Sequence, residues 1–167
     1  LHDALPIYNN TYVNYIEFES LPTSIEEHTT YIVKINMGIN ADNVYALAGL
    51  ADNPLHIPKS YHTELGSITG PLHQSILTLD PYTNYDSWLT INRQGQGQPN
   101  YDISDIGFED NFSFNNNLEA NLTNACVFIM DPTQGPGGSG NNIQIAQLTI
   151  PNNEGPGKRT FTGVLQG

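Results

Sequence analysis

Residues 85–92 read Tyr-Asp-Ser-Trp-Leu-Thr-Ile-Asn, and this stretch is the best single guide to the fold. It is dense in β-branched and aromatic residues and is closed by a Gln/Gly loop at 94–98, which is typical of a strand. Alternation along a strand would place Trp88 and Leu89 on opposite faces. We expect both faces to be covered, with Trp88 in the core, so that the stretch reports the fold rather than a function.

The same pattern, a short strand followed by an Asn-, Gly- or Pro-rich loop, recurs along the chain. Residues 51–84 are the least regular third, because prolines and glycines cut them into pieces such as 61–65 and 75–79. We therefore predict an all-β fold, a single β-sandwich or jelly-roll-like domain of about eight to ten short, mainly antiparallel strands. The predicted strands are residues 11–19, 29–36, 43–50, 85–91, 103–108, 125–130, 142–150 and 160–166, with a ragged segment at 111–114.

The length of 167 residues suits one domain whose core needs no disulfide or metal. Residues 1–7 resemble a translated sequencing-adapter sequence, so we expect them to be non-native and the domain to span 8–167, with ends suited to strand exchange. Cys126 is the one cysteine, and its apolar surroundings in the sequence predict a buried, inert thiol.

The charge balance restricts the partners of this chain. Seventeen acidic residues against five basic ones give a net charge of -12, so no basic patch for nucleic acid or an anionic membrane is expected. No segment approaches the roughly 18 apolar residues of a membrane span. Charged residues make up only 13%, and the uncharged polar residues that replace them favour an extracellular or cell-surface location.

Two segments resemble motifs for phosphate binding and for nucleophilic catalysis, but neither matches its motif in full. Residues 155–160 resemble the end of a P-loop, yet Asn152 stands where the first glycine belongs, and Arg159 stands where Ser or Thr should follow the lysine. Residues 138–140 read Gly-Ser-Gly without the spacing of a nucleophile elbow. Both segments are predicted to be loops, and hydrolysis by scattered carboxylates is the least favoured function.

Metal binding has two weak candidates. The histidines at 56, 62 and 73 lie at intervals that match no standard zinc pattern. Carboxylates in loops are suitable ligands for Ca²⁺. The candidate acidic residues are separated in the sequence by apolar residues that resemble core positions. We therefore favour a solvated acidic rim and expect no cofactor. The calcium candidates are Asp102, Asp105, Glu109 and Asp110.

Three glycosylation sequons begin at Asn9, Asn111 and Asn121. In an Asn-rich chain some sequons arise by chance. Asn121 is the best placed of the three, since we expect it in a polar loop before a strand.

Four segments in a fixed order carry a resemblance to a known group. They read Ala-Leu-Ala-Gly at 46–49, Tyr-Asp-Ser-Trp-Leu-Thr-Ile at 85–91, Ile-Ala-Gln-Leu-Thr at 145–149 and Phe-Thr-Gly at 161–163. Together they resemble an uncharacterised group of exported or structural β proteins from aquatic bacteria and algae. The chain departs from that group at Asn92, where the group has Gly. The resemblance implies a non-enzymatic role, and a more distant similarity to algal pyrenoid-shell proteins would imply a sheet-like assembly.

The first functional hypothesis is a non-enzymatic subunit that assembles with copies of itself into an extracellular filament or surface layer. Few lysines are present to protect exposed strand edges, so a terminal strand would add to the sheet of a neighbour. The predicted assembly residues are Tyr12, Val13, Tyr15, Ile16 and Phe18 in the first strand, and Phe161, Val164 and Leu165 in the last.

Two alternatives stay open. The first is a carbohydrate-binding or adhesion module in which Tyr82, Tyr85 and Trp88 stack on glycans. The second is a protein of a shell lattice.

Overall fold

The computed structural model describes residues 13–37, 42–63, 68–70, 74–93, 103–108, 118–137, 142–153 and 160–167. Within these residues the chain forms ten strands, one short α-helix and two 3₁₀-helices. The strands are β1 (Val13–Leu21), β2 (His28–Met37), β3 (Ala46–Gly49), β4 (Leu55–Ser60), β5 (Trp88–Arg93), β6 (Ile103–Ile106), β7 (Leu118–Leu122), β8 (Ala125–Ile129), β9 (Asn142–Pro151) and β10 (Val164–Gln166). The helices are α1 (Gln74–Leu79) and the 3₁₀-helices Pro81–Tyr85 and Pro132–Gln134.

The first sheet has the order β1-β2-β9-β5, with every neighbouring pair antiparallel. Its two central strands are the longest in the described part of the chain. Every residue of β9 from Ile145 to Pro151 is buried, so this part of the strand is covered on both faces, although it includes the polar residues Gln147 and Thr149.

The second sheet has the order β10-β3-β8-β6 and is also antiparallel. Burial alternates along β8, because Ala125, Val127 and Ile129 face the core while the residues between them are partly exposed. The third sheet is the antiparallel pair of β4 and β7. Gly49 permits the close approach of β3 to this pair, because a Cβ on Gly49 would lie 2.0 Å from the carbonyl oxygen of Leu122.

One hydrophobic cluster joins all three sheets. It combines Ile35 and Leu89 of the first sheet, Val127 of the second and Leu55 of the third, each no more than 1% exposed. Trp88 is 8% exposed, which confirms its predicted place in the core. The prediction of an all-β domain with about eight to ten antiparallel strands is therefore confirmed, and the shared core is consistent with a sandwich.

Several local predictions were wrong. Residues 74–79, within the least regular third, form a short helix that was not predicted. Residues 81–85 form a 3₁₀-helix that Asp80 caps, so β5 begins only at Trp88. β4 was missed because Pro58 suggested a break; the register shift between Ile57 and Ser60 accommodates this proline.

β7 was missed as well, and Asn121 lies on this strand rather than in the predicted loop before it. The ragged segment at 111–114 lies outside the described residues.

Candidate functional site: an open strand edge, a buried polar cluster and an aromatic patch

β1 forms one edge of the first sheet. Its pairing with β2 is regular from Tyr15, opposite Asn36, to Leu21, opposite Thr30, and a single irregularity lies between Val13 and Tyr15. Among the described residues β2 is the one strand that pairs with β1. The outer side of this nine-residue strand therefore offers backbone N–H and C=O groups that no described residue binds.

The side chains of β1 differ between its two faces. Ile16 and Phe18 pack against the hydrophobic core and are partly buried. Glu19 forms an ion pair with Lys34 of β2, whose side chain is almost completely buried. Glu17 is the cross-strand register partner of Lys34 on the same face of the sheet. β1 thus belongs to the fold of its own protomer, and its outer edge pairs with no other described strand.

β5 forms the other edge of the same sheet, and a loop segment covers it. The amide of Leu89 donates to the carbonyl of Ile68 at 2.7 Å, and the amide of Gly70 donates to the carbonyl of Leu89 at 2.7 Å. Thr69 and Leu89 form a short parallel bridge between these hydrogen bonds. Backbone groups on the outer side of β5 are therefore already satisfied at its second residue.

The C-terminal segment is connected to two sheets. Thr162 exchanges hydrogen bonds with His56 of β4, at 3.0 and 3.1 Å, before β10 pairs with β3. Phe161 is 4% exposed and lies in the core, while Val164 and Leu165 are partly buried. β10 is an edge strand of only three residues, so the edge it offers is much shorter than that of β1.

A buried polar cluster lies where the chain enters β5. Nδ1 of His62 is 2.8 Å from Oδ1 of Asp86, and both side chains are at most 1% exposed. The amide of Thr63 donates to the same carboxylate oxygen at 2.8 Å, and the carbonyl of Ser87 lies 3.2 Å from the imidazole nitrogen. Among the described residues, the second carboxylate oxygen of Asp86 receives no hydrogen bond.

Gln147 of β9 ties this cluster to the first 3₁₀-helix. Its amide nitrogen donates to the carbonyls of Asn84 at 2.9 Å and Asp86 at 2.8 Å. The amide of Ser87 donates to the carbonyl of Tyr61, and the amide of Tyr61 donates to the carbonyl of Thr149. Residue 61 is thereby joined to the segment that leads into β5 and to β9. A His–carboxylate pair can act as a general base where a substrate reaches it, but this pair is enclosed, and its geometry serves to hold residues 61–63 and 81–87 in place.

Tyr61 and Tyr85 are the chain neighbours of His62 and Asp86 in this cluster, and we call Tyr61, Tyr82, Tyr85 and His28 the aromatic patch. The rings of His28 and Tyr61 are 6.2 Å apart in an edge-to-face arrangement. Tyr82 and Tyr85 lie three residues apart in a 3₁₀-helix, a spacing that aligns side chains along one side. Tyr82 is 53% exposed, and the other three rings are partly exposed.

Hydrogen bonds fix the rings of the aromatic patch. The hydroxyl of Tyr85 lies 3.1 Å from the hydroxyl oxygen of Ser24, and the amide of Tyr82 donates to Asp80 at 2.9 Å. Burial, and then the nearby charges of Asp80 and Asp86, raise the pKa of the Tyr61 hydroxyl, which therefore keeps its proton at neutral pH.

The calcium and zinc candidates fall in different places. Asp105 is exposed on β6, whereas residues 102, 109 and 110 lie outside the described residues. His56 is partly exposed on β4, His62 is buried and residue 73 is not described. Among the residues that the structure describes, no three His, Cys, Asp or Glu side chains are grouped to hold a metal ion.

The remaining predicted sites are only partly described. Asn121 is exposed on β7, and residues 9, 12 and 111 lie outside the described part, as do the loops at 138–140 and 154–159. For Val13 and Tyr15 only the backbone is described. Cys126 is partly buried rather than fully buried, and burial raises the pKa of its thiol.

Sequence reasoning missed the pair of His62 and Asp86, because the two residues are far apart in the chain and match no motif. The glycan-binding alternative included Trp88, which is buried as the main prediction expected, and it did not include Tyr61 and His28, whose rings are in contact. Tyr61 carried no usable signal, since it lies in the irregular third.

No helix among the described residues has the length and apolar character needed to cross a membrane. No family model, no curated protein and no solved structure matches this chain.

Proposed function

We propose that this protein is a non-enzymatic structural subunit that assembles with copies of itself into an extracellular filament or surface layer by β-strand addition at β1. The observation that carries the proposal is the outer edge of this nine-residue strand, which no described strand covers and which is the longest edge strand in the described part of the chain. Unpaired backbone groups along such an edge are a template for another strand.

Antiparallel pairing of β1 with β1 of a second copy is self-complementary, so by itself it gives a closed two-fold dimer. A polymer needs a second contact on another part of the surface. β10 lies at an edge of the other four-stranded sheet, and its pairing with a copy supplies that second contact. Two alternating two-fold contacts give each protomer two neighbours and generate an open filament, whereas a layer needs a third contact between filaments.

Charge opposes the contact at low ionic strength. Each protomer carries a net charge of -12, and pairing β1 strands brings Glu17 and Glu19 towards their counterparts. Lys34 compensates for one carboxylate within each protomer. Because the screening length falls from about 30 Å at 0.01 M salt to about 10 Å at 0.1 M, assembly should strengthen as salt is added.

Two proline variants test the edge directly. In a regular antiparallel strand, successive amides point alternately towards the neighbouring strand and away from it. Glu17 and Ser20 are three residues apart, so their amides point in opposite directions, and proline removes one amide hydrogen in each case. Glu17→Pro and Ser20→Pro therefore form a matched pair, one acting on the pairing with β2 and the other on the free edge.

Light scattering and electron microscopy of the full chain would follow assembly, and Trp88 fluorescence in urea would follow stability. We expect the variant with the smaller loss of stability to show the larger loss of assembly. A wild-type protein that stays monomeric at all concentrations and salt levels overturns the proposal. The proposal is also overturned if Glu17→Pro and Ser20→Pro both fold stably and both assemble as well as the wild type.

A further inference from the structure

We propose that the aromatic patch, Tyr61, Tyr82, Tyr85 and His28, is a binding site for a neutral glycan. The site is separate from the β1 edge, so it does not depend on the proposed assembly. It is built from three chain segments, two of which, residues 61–63 and 81–87, are held together by the buried polar cluster.

The first argument is the chemistry of the rings. The C–H faces of a pyranose are apolar and its hydroxyls are polar, so a sugar needs an aromatic surface bordered by hydrogen-bonding groups. Tyr82 offers a ring that is 53% exposed. Tyr82 lies near enough to Tyr61 to influence the pKa of its hydroxyl, and the patch adds the hydroxyl of Tyr85 and the imidazole of His28 as hydrogen-bonding groups.

The second argument is the rigidity of the site. Asp80 caps the 3₁₀-helix that carries two of the rings, and Gln147 binds the carbonyl of Asn84 in that helix and that of Asp86 just beyond it. Ser24 holds the hydroxyl of Tyr85 from the turn between β1 and β2. A site whose rings are held before the ligand arrives loses less entropy on binding.

The third argument is charge, which selects the class of glycan. Asp80 lies close enough to Tyr61 to raise its pKa, and the exposed Glu26 and Glu27 immediately precede His28. These carboxylates repel sulfated and carboxylated sugars, while uncharged hexoses lose nothing near them. The net charge of -12 acts in the same direction.

Affinity electrophoresis of the full chain tests the site, in native gels that contain hydroxyethyl cellulose, galactomannan or galactan as neutral probes and alginate as an anionic one. We expect at least one neutral polymer to retard the protein and alginate to have no effect. Tyr82→Leu keeps an apolar side chain but removes the ring, and it should weaken retardation roughly five- to tenfold. Tyr82→Trp should retain binding, because it restores an aromatic face.

Met130→Ala is the matched control, since Met130 is 71% exposed beside the other four-stranded sheet. It should leave retardation unchanged. The proposal fails if no neutral polymer retards the wild type, if only alginate does, or if Tyr82→Leu binds as well as Tyr82→Trp. Equal losses in Tyr82→Leu and Met130→Ala would also overturn it. Measuring Glu17→Pro and Ser20→Pro in the same gels keeps this outcome separate from that of assembly.

Discussion

The two edges of the first sheet, β1 and β5, are built in opposite ways. Residues 68–70 cover β5, and a buried cluster of His62, Asp86 and Gln147 fixes the chain that leads into it. β1 has no described cover, and its polar contact is one ion pair with a half-exposed glutamate. Within the described residues, edge protection is therefore local: it is present at β5, and none is found at β1, the strand on which the proposed assembly depends.

The largest expected effect is at the covered edge. Asp86→Ala removes the acceptor that serves both Thr63 and His62 inside the protein, and breaking such a buried pair costs about 3–5 kcal/mol of unfolding free energy. Urea unfolding followed by Trp88 fluorescence measures the loss. Asp131→Ala is the control, because Asp131 is exposed and caps the second 3₁₀-helix in the same way that Asp80 caps the first. Equal losses in the two variants would mean that burial of Asp86 adds nothing.

The next effect is at the segment that covers β5. Gly70 has a φ of +73° and donates its amide to Leu89, so a Cβ at this position is strained even though the space around it is open. Gly70→Ala should cost about 1–2 kcal/mol, whereas Gly70→Asn should cost less because Asn tolerates the left-handed region. Thermal unfolding of both variants tests this order. A more stable alanine variant would show that the segment adopts another conformation.

A smaller effect is expected at the open edge. Lys34→Met removes the ion pair with Glu19 but keeps an apolar stem in a buried position. Because Glu19 is half-exposed and regains water, the loss should be about 1 kcal/mol or less. The same urea unfolding experiment measures it. A loss as large as that of Asp86→Ala would remove the difference between the two edges.

The smallest effect is a pH dependence beside the covered edge. The pKa of Tyr61 is raised in the folded protein, by burial first and by nearby carboxylates second, so the folded state holds this proton more tightly than the unfolded state. Its contribution to stability is therefore complete below about pH 10, the ordinary pKa of tyrosine, and is lost as the pH rises through the folded pKa. The free energy of unfolding should be measured at a pH below this window and at a pH above it. Its decrease between the two pH values should be smaller in Tyr61→Phe than in the wild type. An identical fall in both proteins would assign the effect to other groups.

Much of the fold was predictable because strand signals are local. The segments around β2, β8 and β9 are rich in β-branched residues and alternate or run apolar, and all three were predicted within two residues at each end. β4 was not predicted, since Pro58 is a break signal whose tolerance depends on a register shift with β7. α1 and the first 3₁₀-helix were also missed, because short helices depend on caps and contacts more than on pattern.

The candidate sites were less predictable. The exposed tyrosines at 82 and 85 could be found, since both stand in a turn-rich segment next to proline. Trp88 lies three residues further on and is buried, because β5 begins there and turns this ring towards the cross-strand neighbour Gln147. The start of β5 at Trp88 therefore separates the tyrosine rings that reach the surface, at 82 and 85, from the buried ring of Trp88.

The amino-acid sequence by itself determined the all-β class, the acidic surface and the approximate positions of most strands, because these follow from composition and from alternation over a few residues. Only the tertiary structure decided which strand edges are open, where His62 meets Asp86 and which rings reach the surface. Each of these depends on pairing between segments far apart in the chain. The contact of residues 68–70 with β5, and the lack of a second described partner for β1, arise from that pairing, which no local pattern encodes.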